Sequence, residues 1–480
     1  MPNPTANLDP TLRLAARVSL GAATGLTLFW LWCCWCGFPA IPWNDIRVAP
    51  AIALHQGLSA YSTATAGPIT TWTYGPVPIL LMWPAGLAAT AAGALQAAGA
   101  IHIGIMVGVL VWVCFAWPVQ PGANLDPGRR FMAALLCVLL VRNPTSGYVV
   151  FCADSPGVAL GLLSLLALAR GHRWAAAAMA ATAAACKQTM VDIALAECLW
   201  LYVAVAPKEA AYHALRCMAA GLFVAIACIP LFGAAELWYS LVELPRRFPS
   251  VPPWPRLGDH LPYLAGHVLL PGLVLAAGRR RIFRRESPFL LPALAFCCTL
   301  PLGFAGLFTV GGNVNSLHSF WLWFPPTLLL FLGAAPAAWF GVKTRLGVAL
   351  LLAALATGWI QSSGLPARPN LRVYRDAAEL TRLMPGRVWF PLHPVVTLYS
   401  DRRLYHDLDG LTVRKIVGEP VSDEHFQSFM PPRRQVCAML LPVGWAVTDI
   451  RLARLPAGST TRVFGVFQLD GVFNGTEPNR

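Results

Sequence analysis

The chain has 480 residues, 56% of them hydrophobic and 12% charged, with a formal net charge of +14. A soluble domain carries about 25% charged residues, so a chain this apolar, with a mean hydropathy of +0.57, must face lipid over much of its surface. Its arginines sit in short loops between apolar runs, which is how membrane orientation is written. Nucleic acid is therefore excluded as the meaning of the positive charge.

Arg13 and Arg17 precede an apolar run from Val18 to Phe38. The run outlasts the apolar region of a signal peptide and ends in bulky Trp, Cys and Phe, so it reads as a retained first span with a cytoplasmic N-terminus. Cys33, Cys34 and Cys36 lie inside it. Without a second pair they read as small buried hydrophobes, not as a zinc site. An outer segment, 39–97, follows, with a polar half from Trp43 to Tyr74 and an apolar stretch from Val77 to Leu95. If that stretch crossed the membrane, the loops with Arg129-Arg130, Arg170-Arg173, Lys208, Arg279–Arg285 and Lys343-Arg345 would all be misplaced. It is therefore expected to lie along the surface or re-enter from it.

Eleven spans are then expected, near 18–38, 98–118, 131–142, 156–170, 174–187, 190–206, 213–232, 261–278, 288–306, 316–334 and 345–361. The odd count sends the C-terminus outside. Composition changes after Gln361. Residues 366–480 carry turn signals at Pro385-Gly386, Pro431-Pro432 and Pro456–Gly458. They also hold a helical repeat at Val373, Ala377, Leu380 and Leu383, and strand-like runs at 387–392, 436–441 and 462–469. The fold class expected is a polytopic α-helical membrane domain over 1–365 with a small α/β extracytoplasmic domain over 366–480.

On this topology the ionisable outer residues collect on one side, where a membrane-edge active site needs them. Asp45 suits a helix N-cap and equally a general base that takes a proton from an acceptor hydroxyl. Asp154, followed by Ser155-Pro156, caps a helix, orients an acceptor or holds a divalent cation. Lys187 sits near the centre of an apolar stretch from Trp174 to Val205. At a tight outer turn it would hold a lipid phosphate as a point charge. Asn313, Asn315 and His318 begin a span on the same face. Asp192 and Glu197 lie deeper, with no partner evident from the sequence.

Asp45-Ile-Arg-Val-Ala, then Leu54 to Tyr61 and Tyr74-Gly75-Pro76, resemble the first outer loop of the GT-C glycosyltransferases. That superfamily includes the lipid-A aminoarabinose transferases and the protein mannosyltransferases. Asp154-Ser-Pro, Lys187-Gln188-Thr189 and Gly312-Asn313-Val314-Asn315 resemble further outer-face positions of bacterial relatives. The resemblance implies a sugar donor linked to polyprenyl phosphate, an envelope acceptor, inversion at the anomeric carbon and a bacterial cytoplasmic membrane. It implies Asp45 and Asp154 as catalytic carboxylates, and Lys187, Arg47, Arg246 and Arg247 around the lipid phosphate. Asn44, His55, Tyr74, Gln188, Asn313, Asn315 and His318 would contact sugar or acceptor. Asn44 stands where many members carry a second acid, which weakens the expectation of a divalent cation. The alternative is a transporter or lipid flippase, in which repeated halves are common; the sequence shows no such repeat.

Overall fold

A computed structural model describes residues 10–119, 125–140, 147–434, 436–440, 454 and 459–472. Among the described residues six helices are long and apolar enough to cross a membrane: Pro10–Ala40, Ala91–Ala116, Pro207–Phe232, Leu261–Ile282, Leu290–Leu307 and Val342–Ser363. The other expected spans fall on shorter helices. Pro127–Leu140, Asp154–Ala169, Arg173–Ala184, Val191–Ala204 and Ser319–Ala334 run 12 to 16 residues, about 18–24 Å at 1.5 Å per residue. That falls short of the ~30 Å hydrocarbon layer. The apolar run at 174–206 is cut at the Lys187 turn, where the sequence divides it.

Residues 77–95 do not form one helix. Val77–Met82 tightens into a 3-10 turn, Trp83–Leu87. A new helix starts at Ala91, where the Thr90 hydroxyl accepts the Gly93 N–H at 3.1 Å. Such a side-chain cap fixes a helix start, and here it divides the stretch the sequence left ambiguous.

Arginines tie the basic loops together at one end of the bundle. Arg130 donates to Cys114, Phe115 and Trp117 carbonyls, and Arg170 donates twice to Ala116 O. Arg285 donates to Ala204 and Val205, Arg345 pairs with Asp126 at 3.1 Å, and Arg173 pairs with Glu209. A cation at the last carbonyls of a helix meets both the unpaired oxygens and the negative dipole end. These loops therefore share one end, and the carboxylates discussed below gather at the other.

Among the described residues the C-terminal part holds four strands: β1 (Val388–Trp389), β2 (Val436–Leu440), β3 (Thr460–Phe464) and β4 (Phe467–Gly471). Their order is β1-β2-β4-β3, with β1 parallel to β2 and the other pairs antiparallel. The expected strand over 462–469 is in fact a hairpin, because Gly465 takes φ +57° and turns the chain. The expected turn at 456–458 lies outside the described residues, as do positions 141–142 and 441. Helix Arg372–Leu383 buries Tyr374, Ala377 and Leu380. Phe390, Val395, Leu398 and Phe467 share one hydrophobic core with Val48, Ile52 and Met82 of the outer segment, so the sheet domain sits on that segment as a continuous body.

Candidate active site

Helix Pro42–His55 starts with Pro at its first turn, where a missing N–H costs nothing, and ends before Gly57 at φ +74°. Its first turn anchors the chain that leads to Asp154. Asn44 is fully buried; its Oδ1 accepts the Phe151 N–H at 2.7 Å, and its Nδ2 donates to Phe38 O and Val149 O. Arg47 donates to Phe151 O at 2.7 Å. Three residues past Asn44's contact at Phe151 the helix Asp154–Ala169 begins, so Asn44 acts on the site by placing it. It does not contact the other site groups through these bonds.

At the head of that helix, Lys187 Nζ donates to Asp154 Oδ1 at 2.6 Å, and Asn315 Nδ2 donates to Oδ2 at 2.9 Å. Lys187 also donates to Ser316 Oγ at 3.3 Å and lies 5.9 Å from the Tyr74 ring centroid. Asp154 and Lys187 are only 4% and 8% exposed. Buried ions persist only when paired, and here each is. Segment 72–77 clamps the Lys187 turn. The Gly75 N–H donates to Cys186 O at 3.0 Å, Val77 N–H to Ala185 O at 3.3 Å, and Gln188 Nε2 to Thr73 O at 3.3 Å. A Cβ on Gly75 would fall 1.8 Å from Ala185 O, so only glycine permits this approach. Ordinary side-chain packing then keeps Tyr74 over the ammonium.

Asp45 has a different environment. Its carboxylate is 0% exposed and is held by the C-terminal domain: Tyr374 Oη donates to Oδ2 at 2.9 Å, Val395 N–H to Oδ1 at 2.8 Å, and His393 Nδ1 lies 3.1 Å from Oδ2. With no solvent exposure and these partners from the C-terminal domain, Asp45 pins the outer segment to the sheet domain.

The remaining expected residues divide. Asn313 caps its own turn through Val314 N–H at 2.7 Å, while its neighbour Asn315 reaches Asp154. His318 faces Asp192, 3.6 Å away, both buried. His55 packs on Trp83, with centroids 4.7 Å apart, at the far end of its helix from Asn44 and Arg47. Arg247 pairs with Glu419 at 3.4 Å, and Arg246 is exposed. Neither His55 nor the Arg246-Arg247 pair is joined to the Asp154–Lys187 cluster by a hydrogen bond or ion pair among the described residues.

Sequence reasoning missed Asp409. Helix Leu408–Ile416 is capped by Asp407, whose Oδ2 also accepts the Thr71 N–H at 3.1 Å, and this docks the helix on the outer segment. Asp409, in its first turn, then faces Arg47 and the Thr71 hydroxyl. Burial pushes its carboxyl above the ordinary carboxylate range, while Thr71 and Arg47 pull it back. Asp409 adjoins an aspartate with an evident capping role, so nothing local marked it.

No protein-family model matches the chain, and the comparison with curated proteins gives no match. Among solved structures, the fold is similar to the crystal structure of ArnT from Cupriavidus metallidurans bound to undecaprenyl phosphate, with a TM-score of 0.54. The superposition covers 92% of this chain and 97% of that one, at 12% identity. Helical bundle, outer segment and C-terminal sheet domain thus share the polytopic fold of that structure.

Proposed function

We propose that this protein is a membrane glycosyltransferase that moves a sugar from a polyprenyl-phosphate-linked donor to an acceptor at the outer face of a bacterial cytoplasmic membrane. The observation that carries this reading is the buried Asp154–Lys187–Asn315 cluster at the end of the bundle opposite the basic loops, on a fold shared with a protein crystallised with undecaprenyl phosphate.

In the proposed reaction the donor phosphate draws Lys187 away from Asp154, with Arg47 as the second cation. Asp154, still held by Asn315, then takes the proton of the acceptor hydroxyl. The acceptor oxygen forms its bond to the anomeric carbon as the carbon–oxygen bond to phosphate breaks. The electron pair leaves on the lipid phosphate, where Lys187 and Arg47 meet the developing charge. Attack from the face opposite the leaving group inverts the centre. The domain over residues 366–480 covers the site, and Asp409 helps position the acceptor.

Release of polyprenyl phosphate from a panel of polyprenyl-phosphate sugars by the purified protein tests the proposal. Turnover of one donor supports it. A carrier without transferase activity releases none from any donor while still moving the lipid between leaflets of a vesicle.

A further inference from the structure

A second polar cluster lies inside the helix bundle, away from the site above. Ser164 is on helix Asp154–Ala169, Glu197 on Val191–Ala204, and His213 with Cys217 on Pro207–Phe232. Ser164 is ten residues down its helix from Asp154, about 15 Å at 1.5 Å per residue, which places the cluster near mid-depth. Glu197 Oε2 lies 2.8 Å from His213 Nε2, and the Ser164 hydroxyl contacts Oε1. Glu197 and His213 are 0% exposed, and Cys217 is half-buried.

The geometry points to a ligand. The donor atoms of Glu197, His213 and Cys217 all lie within 4.8 Å of one another, and the imidazole turns Nε2 toward the Glu197 carboxylate, the side on which a shared ion would sit. His213 and Cys217 are four apart on one helix face, so both present the same way. An oxygen, a nitrogen and a sulfur suit zinc, which takes carboxylate and imidazole at about 2.0–2.2 Å and thiolate at about 2.3 Å in a tetrahedral shell. Calcium and magnesium take oxygens instead. Charge favours the same ion: one carboxylate and one thiolate neutralise Zn²⁺, which removes the cost of a lone buried charge.

We propose that Glu197, His213 and Cys217 form an intramembrane zinc site that ties two helices together, with Ser164 of a third helix orienting the Glu197 carboxylate. A water completes the shell. Binding releases the thiol proton as the sulfur–metal bond forms, with no change of oxidation state.

The test uses the full chain in detergent, stripped with a chelator and loaded with Zn²⁺ or Co²⁺ salt. One zinc per chain is expected by elemental analysis. Cobalt should give the intense visible bands of a tetrahedral ion and a near-ultraviolet thiolate-to-metal band. Cys217→Ser should lose the thiolate band, Glu197→Gln and His213→Ala should weaken zinc binding at least tenfold, and Cys198→Ser should keep both. Size-exclusion profiles of the stripped proteins identify any variant that fails to fold, and the conservative Cys217→Ser then decides. The proposal is overturned if the stripped wild type takes up no metal, if Cys217→Ser keeps the thiolate band, or if that band follows Cys198.

Discussion

Replacing Asp45 separates a domain pin from a catalytic base. In Asp45→Ala, Tyr374 keeps a second acceptor, Pro39 O at 3.1 Å, but Val395 N–H and the His393 ring lose the carboxylate in a site without solvent. A hydrogen bond to a charged group is worth about 1.5–3 kcal/mol, and an orphaned buried donor costs about 1–3 kcal/mol. The two losses together give roughly 3–5 kcal/mol for Asp45→Ala. Asp45→Asn keeps one acceptor oxygen and turns an amide toward the remaining donors, for about 1–3 kcal/mol. The loss falls on the contact between the outer segment and the sheet domain, so that domain should loosen first. Limited proteolysis and thermal unfolding in detergent read this, graded wild type, Asn, Ala. The reasoning fails if Asp45→Asn unfolds and resists protease like wild type while turnover collapses, for Asp45 would then be doing chemistry.

Other variants probe the remaining contacts. Lys187→Met should lose most affinity for polyprenyl phosphate and leave Asp154 buried beside Asn315 alone; lipid titration checks it. Gly75→Ala forces a Cβ into Ala185 O and should cut turnover at least tenfold by shifting Tyr74 and the Lys187 turn, with the bundle still folded on size exclusion. Arg414 is 2% exposed, donates to Thr63 O at 2.6 Å and pairs with Glu419 at 3.0 Å; Arg414→Ala should destabilise the docked domain by about 3–5 kcal/mol, read by the same proteolysis. His406 is held neutral by burial, its pKa lowered from 6.5 to about 3. The unfolded chain takes up that proton first, so stability is full above pH 6.5 and falls as pH drops toward 3. His406→Gln should flatten that part of the unfolding profile relative to wild type.

Long uninterrupted apolar runs, such as Ala91–Ala116 and Leu290–Leu307, announce themselves because a span needs only length and the absence of charge. At 174–206 an apolar run alone does not mark the turn inside it, and Lys187 was the signal that divided it. That same lysine was legible as a cation at a turn, yet its partner Asp154 depends on how two helices pack. Asp45 illustrates the limit more sharply. Its local context offers a cap or a base, while the groups that occupy it come 329 to 350 residues later. Asp192 and Glu197, without partners in sequence, meet His318 and His213 only through helix packing. Asp409 reaches Arg47 because the sheet domain docks, which no periodicity encodes.

The central claim is that the Asp154–Lys187 cluster is where the sugar changes hands. Turnover of a competent donor by Asp154→Asn, beside wild type and corrected for folded protein, tests it most directly. The account predicts a rate lower by roughly 10²–10⁴-fold, as for a lost general base, with donor lipid still bound through Lys187. A wild-type rate in folded Asp154→Asn would contradict it and move the reaction away from this carboxylate.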